Sequence, residues 1–156
     1  MVVTNNAHGW LCRPPEDGDF DRWQELYRAY AEFYREDQSD KDNALVWSWV
    51  RDANNPVGCL LVADQGGRLV GLAHYRPFPR PLAAGTGCYL DDLFVDPGHR
   101  GLGAADALLG GVRAIANDRG WGVVRWITAD DNHRARAKYD HYATRTMWVT
   151  YDMAVV

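Results

Sequence analysis

Phe20, Trp23, Tyr27, Tyr30 and Tyr34 recur at three- and four-residue steps, which predicts one aromatic face of an amphipathic helix. Asp17 or Asp19 stands where a cap belongs. Such a stripe ordinarily packs into a core; lining an acceptor site is the alternative. Ahead of it, Trp10 to Arg13 has the length of a short strand closed by Pro14-Pro15. Lys41 to Asp52 predicts a second helix with Trp47 and Val50 inward. From Val57 the pattern changes to short apolar runs. Val57 to Ala63 and Leu69 to Tyr75 read as two strands around the turn Asp64-Gln65-Gly66-Gly67. Arg76-Pro77-Phe78-Pro79-Arg80-Pro81 predicts a loop, because its prolines lack donors. Tyr89 to Val95 is a third strand. Gly101 to Arg119 reads as a helix with Ala105, Leu108, Leu109, Val112 and Ile115 on one face. Val123 to Ala129 predicts a strand, Asn132 to about Ala143 a helix, and Thr146 to Met153 a last strand. That order, with neither repeat nor linker, predicts a mixed α/β (α+β) sheet in a single domain spanning 1–156.

Composition narrows the class. With 156 residues, 47% hydrophobic and 24% charged, the chain has the material for one core and argues against disorder. No apolar run approaches the roughly 18 residues of a membrane span. Met1 to Asn6 has neither the basic region nor the apolar stretch of a signal peptide, so a cytoplasmic protein is expected. Cys12, Cys59 and Cys88 fit no zinc spacing and read as buried thiols, so no metal is expected. A net charge of −4 argues weakly against nucleic acid and suits a cationic partner.

Chemistry concentrates after the third strand, in Leu93-Phe94-Val95-Asp96-Pro97-Gly98-His99-Arg100-Gly101-Leu102-Gly103-Ala104-Ala105. The first amides of a helix lack internal partners and carry the positive end of its dipole. Small residues there let an anion approach closely, which predicts a phosphate or pyrophosphate site. A nucleotide P-loop is excluded by the missing Lys-Ser/Thr pair. A dinucleotide fingerprint fits poorly: Asp106 replaces its third glycine, and Asp96 to Arg100 separate the first glycine from the strand. A glycine-rich helix start without any ligand is the bland alternative.

Arg100-Gly101-Leu102-Gly103-Ala104-Ala105 resembles the acetyl-CoA signature Arg/Gln-x-x-Gly-x-Gly/Ala of the GNAT superfamily of N-acetyltransferases. As in that family, a strand ending in Val-x-Pro precedes it (Val95-Asp96-Pro97) and an apolar helix follows. Asn132-His133-Arg134-Ala135 and Tyr139 resemble the family's Asn-x-x-Ala-x-x-x-Tyr segment; an N-cap for Asn132 and a core aromatic for Tyr139 are the plain readings. The similarity runs from Tyr89 to Tyr151. It implies the GNAT fold, a mostly antiparallel central sheet with about four helices, and acetyl transfer from acetyl-CoA to a primary amine by direct attack. Cofactor contacts would come from backbone amides of Arg100, Gly101, Leu102, Gly103, Ala104, Ala105 and Asp106, the main chain of Leu93 and Val95, and Asn132. Arg134 or Arg136 is nearest for an outer phosphate, against a plain solvated helix face.

The implied reaction sets two demands. A lysine-like amine with pKa near 10.4 is neutral in only about one molecule in 2,500 at pH 7, a shortfall of roughly 4.6 kcal/mol. A carboxylate with a water path helps recover it. Asp91 and Asp92 are the candidates, since adjacent acids in an apolar strand are costly to bury without a purpose; pairing with an arginine is the bland alternative. Strand alternation puts Asp91 on the face of Leu93 and Val95 and Asp92 on the other, unless a bulge re-aims one. The departing thiolate needs a proton, and Tyr139 matches the family's general acid. His74, His99, His133 and His141 are rivals for acid–base work, His99 being better placed for phosphate contact or plain exposure.

The chain departs from the common family ending of Gly-Phe and a terminal hairpin, and resembles a branch acting on polyamines, free amino acids or histone tails. Three functions stay open: transfer to a small cationic amine, transfer to lysine in a peptide, and CoA sensing without transfer. One terminal strand with an open edge predicts a homodimer. Gly110-Gly111 in the cofactor helix have no account beyond close packing.

Overall fold

The computed structural model describes residues 4–5 and 8–156. They form two compact units, Met1–Trp126 and Ile127–Val156. In the first, strands β1 (Thr4–Asn5), β2 (Leu11–Arg13), β3 (Gly58–Ala63), β4 (Leu69–Arg80), β5 (Gly85–Val95) and β6 (Val124–Arg125) make one sheet in chain order. Neighbours are antiparallel except β5 and β6, which are parallel. Helices α1 (Phe20–Phe33), α2 (Asp40–Arg51) and α3 (Ala104–Asp118) complete this unit. The mixed α/β fold expected from the pattern is the fold observed.

The aromatic stripe is mostly core. Trp23 and Leu26 of α1 are buried on Cys59, Leu61, Leu72 and Phe94, with Phe20, Tyr27, Tyr30, Trp47 and Val50 packed around them. Alternation along the strands sends Leu60, Val62 and Val70 to the other face, where α3 brings Ala104, Leu108 and Val112. Ser39 caps α2 through a reciprocal box with Asp42. Asp19 occupies the N-cap of α1, but its carboxylate binds Arg13 at 2.6 and 3.0 Å. That pair holds Asp19 below the usual carboxylate range. Cys12, Cys59 and Cys88 are buried free thiols; burial pushes the Cys88 thiol up to about 11.

Three boundaries in this unit correct the sequence reading. The proline-rich segment is strand, not loop: β4 continues to Arg80, opposite β5 residues from Gly85. Beyond Tyr75 it has no β3 partner, and Pro77 and Pro79 lie two apart, so their missing donors face the same open side. Helix α3 starts at Ala104 rather than Gly101, because Gly101 and Gly103 adopt φ of +76° and +96°. The strand expected over Val123 to Ala129 is only Val124–Arg125, where it pairs with Cys88 and Tyr89.

The second unit holds α4 (His133–Tyr139), shorter than expected, followed by turns at Tyr142 and Ala143. Thr146 to Met153 forms no strand, since no neighbouring strand completes its backbone bonds among the described residues. Met147, Trp148, Tyr151 and Met153 are highly exposed there. No helix among the described residues is long and apolar enough to cross a membrane.

Candidate active site

Both halves of the candidate site hang on β5. Pairing with β4 runs in step from Gly71–Val95 to His74–Asp92, then resumes at Tyr75–Leu90, leaving Asp91 as one extra residue. This β-bulge re-aims the acids. Asp92 reaches His74 at 2.8 Å and Asp91 reaches Arg76 at 3.0 Å. His74 and Arg76 are two apart on β4, hence on one face. Asp91 therefore leaves the face of Leu93 and Val95, where simple alternation would put it, and joins Asp92 beneath α1.

The two carboxylates differ sharply. Asp92 accepts from His74 Nδ1 at 2.8 Å and from the Tyr27 hydroxyl at 3.1 Å, both on Oδ2. Burial alone would raise its pKa, but bonds from His74, Tyr30 and Tyr27 hold it below the usual carboxylate range. Burial and the Asp92 charge in turn push the Tyr27 and Tyr30 phenols up. At Asp91 the balance is reversed. Burial and neighbouring Asp92 raise its pKa despite Arg76. The Arg76 pair is partly exposed on both sides, and such pairs contribute about 0–1 kcal/mol, so it holds Asp91 only weakly. Arg76 also lies over the Tyr89 ring at 4.8 Å.

Two residues that sequence reasoning passed over organise these positions. Trp23, read as core with acceptor-site lining as the alternative, donates its indole N–H to His74 Nε2 at 3.0 Å. Trp10, placed only in a strand, donates its indole N–H to the Leu102 carbonyl at 2.8 Å. No sequence motif announces either, because both act across long chain separations.

Past β5, Asp96 N–H donates to the Val70 carbonyl at 2.8 Å. Alternation then points the main-chain groups of Leu93 and Val95 away from β4, toward the edge that β6 covers only at Cys88 and Tyr89. Pro97–His99 forms a 3-10 turn capped by Asp96, and Gly101 and Gly103 bend the chain into α3. Amides of Gly101, Leu102, Gly103, Ala104 and Ala105 have no backbone acceptor among the described residues. A Cβ at Gly101 would meet nothing within 4 Å, so this side of the turn is open. Donors and shape fit a pyrophosphate, and the free edge of β5 fits an amide-bearing arm.

Arg100 is turned inward. Its Nε donates to the Val95 carbonyl at 3.1 Å, and its guanidinium lies 5.6 Å from the rings of both Phe33 and Phe94. One of the two carbonyl lone pairs at Val95 is thereby engaged. His99 Nδ1 is buried without a hydrogen bond among the described residues, 3.9 Å from Asp96. Asp106 lies in the first turn of α3.

Asn132 and Tyr139 belong to the second unit. Asn132 caps α4, its side-chain oxygen accepting from Ala135 N–H at 3.3 Å, which is the plain alternative for this residue. Tyr139 closes the same helix, half-buried. Arg136 bonds the Asp130 carbonyl, and Arg134 is exposed.

Comparison with known proteins agrees with this geometry. An uncharacterized N-acetyltransferase, YhfO, of Bacillus subtilis is 30% identical over 132 residues, covering 83% of this chain and 87% of that protein. The D-amino-acid N-acetyltransferase HPA3 of Saccharomyces cerevisiae is 26% identical over 137 residues, covering 87% and 85%. In fold, the crystal structure of a ribosomal-protein-alanine N-acetyltransferase from Brucella melitensis matches with a TM-score of 0.79 at 20% identity, over 94% of this chain and 99% of that one. The family model described as the acetyltransferase (GNAT) family matches residues 23–142, from the tryptophan behind His74 to beyond Tyr139. The glycine turn, the open strand edge and this match have one reading: the chain belongs to the acetyltransferase (GNAT) family and is an N-acetyltransferase.

Proposed function

We propose that this enzyme moves an acetyl group from acetyl-CoA onto the primary amine of a small cationic acceptor, a polyamine or an amino acid. The observation that carries the reading is the bulge at Asp91, which brings two carboxylates of opposite pKa shift onto one face of β5. Neighbouring acids pushed apart in this way divide into a proton acceptor and a fixed charge. Asp91, the more basic and more exposed, takes the proton of the acceptor ammonium, directly or through water. Asp92, held ionised, faces the remaining positive charge. The D-amino-acid N-acetyltransferase among the relatives supports a small amine as acceptor.

Acetyl-CoA, when bound, supplies the acetyl thioester. Amides of Gly101, Leu102, Gly103, Ala104 and Ala105, with those of Arg100 and Asp106 beside them, bind the pyrophosphate. Leu93 and Val95 bind the pantetheine arm. By the family resemblance, Asn132 would serve the cofactor and Tyr139 would donate a proton to the departing sulfur. The family match across both units supports reading residues 1–156 as one acetyltransferase domain. We further propose a cytoplasmic homodimer. Three buried free thiols suit a reducing compartment, and the exposed apolar residues after Thr146 suit cover by a second copy.

Free-thiol release across polyamines, amino acids and a lysine peptide tests the acceptor, with mass spectrometry locating one acetyl group on the product. Release with the peptide alone makes this a protein acetyltransferase. Coenzyme A binding without release from any amine makes it a sensor. Light scattering at the monomer mass overturns the dimer.

A further inference from the structure

Two hydrogen-bonded arms end on Asp92, with their donors pointing toward it. In the first, the Trp23 indole N–H donates to His74 Nε2 at 3.0 Å, and His74 Nδ1 lies 2.8 Å from Asp92 Oδ2. An indole nitrogen can only donate, so Nε2 must be the acceptor. The neutral imidazole then carries its proton on Nδ1 and donates it to Asp92. Trp23 and His74 are 0% and 2% exposed, so water does not substitute for either partner.

In the second, Tyr27 donates its hydroxyl proton to Asp92 Oδ2 at 3.1 Å. The Tyr27 ring stands edge-on to His74 with centroids 4.8 Å apart, locking the imidazole plane. Serial donation of this kind polarises each bond toward the terminal anion. Asp91, one residue away, hydrogen-bonds Arg76 and, among the described residues, neither of these arms.

We propose that His74, with Trp23 behind it and Tyr27 beside it, is a positioning residue for acetyl transfer: it fixes the Asp92 carboxylate as an oriented counter-charge for the acceptor and leaves proton removal to Asp91. His74 itself is neither acid nor base in the reaction, since one nitrogen faces Trp23 and the other faces Asp92. The inference rests on the proposed acetyltransferase reading and assigns the division of labour within it.

The test has two arms. In ¹⁵N spectra of the wild type, His74 appears as the neutral Nδ1–H tautomer; an Nε2–H tautomer in an active enzyme overturns this inference alone. In kinetics, His74→Leu removes a bond to a charged group and raises KM for the amine about tenfold to a hundredfold, with kcat changed less. Coenzyme A affinity stays as in the wild type. The acid limb of kcat/KM moves to higher pH, because Asp92 has lost a donor that favours its ionised form. The other titratable or charged groups facing Asp92 are Tyr27 and Tyr30 on α1, Cys59 on β3, and Asp91 with its partner Arg76 on the strand pair; all are unchanged in the variant. His74→Asn places an amide N–H where Nδ1–H stood and restores most of the loss. An unchanged amine KM and pH profile in folded His74→Leu refutes the positioning role. A wild type that transfers nothing instead refutes the acetyltransferase reading, whichever tautomer is seen.

Discussion

Two stretches of the chain along β5 are equipped for opposite charges by opposite means. Beyond Val95, the proposed anion site is made of backbone: two glycines at positive φ and five amides without backbone acceptors among the described residues. Within the strand, at Asp91 and Asp92, the proposed cation site is made of side chains on three different elements. The first needs only local conformation and small residues. The second needs a register shift in the sheet and a helix laid over it. A site of main-chain donors is written into a short segment; a site of side-chain acids is written into the pairing of distant ones.

The largest expected effect separates the two acids. Asp91→Asn lowers kcat/KM for the amine by about a hundredfold to ten-thousandfold, the usual worth of a general base, with coenzyme A affinity unchanged. A loss below about threefold, on the scale of a dispensable surface acid, removes Asp91 from that role.

Next comes the turn. Gly103 has φ +96°, and an added Cβ would sit 3.3 Å from Trp10 Nε1. Gly103→Val forces that strain and weakens coenzyme A binding by about ten- to a hundredfold in calorimetry. Unaltered affinity means the turn does not hold the cofactor.

Acid melts contrast Asp91 with Asp92. The Asp92 pKa is lowered in the folded state, so its contribution is present above the unfolded value of about 3.9 and lost as pH falls through the folded one. Asp92→Asn therefore melts roughly 3–12 °C below the wild type at pH 7, the gap closing toward pH 3. The Asp91 pKa is raised, so its ionisation opposes folding as pH climbs from about 3.9 through the folded value. Asp91→Asn shifts the melt upward at pH 7 and loses that advantage in acid. Parallel shifts in circular-dichroism melts refute the division.

The smallest effects probe what supports the turn. Trp10→Phe loses the bond to Leu102, worth about 1 kcal/mol, and weakens coenzyme A binding about fivefold. Gly110 lies inside α3, where an added Cβ meets nothing within 4 Å. Gly110→Ala therefore stabilises by about 1 kcal/mol without touching affinity, the reverse of Gly103.

Periodicity was enough for the elements that bury a repeating face. The stripe from Phe20 to Tyr30, the second helix from about Lys41 and the hairpin around Gly66-Gly67 all stand where the pattern put them. Reading failed where a partner decides. Pro77 and Pro79 argue for a loop only while it is unknown that their nitrogens face an open edge. Thr146 to Met153 alternates like a strand but has no neighbour to pair with among the described residues.

The candidate site divides along the same line. Sequence alone determined the glycine turn, its small residues and the presence of two adjacent acids, because each is a property of neighbours in the chain. Only the tertiary structure decided that a bulge turns Asp91 beside Asp92, that His74 and Tyr27 converge on Asp92, and that Trp10 ties down Leu102. Hydrogen bonds between residues tens of positions apart depend on how strands register and where a helix rests, and no local spacing encodes either.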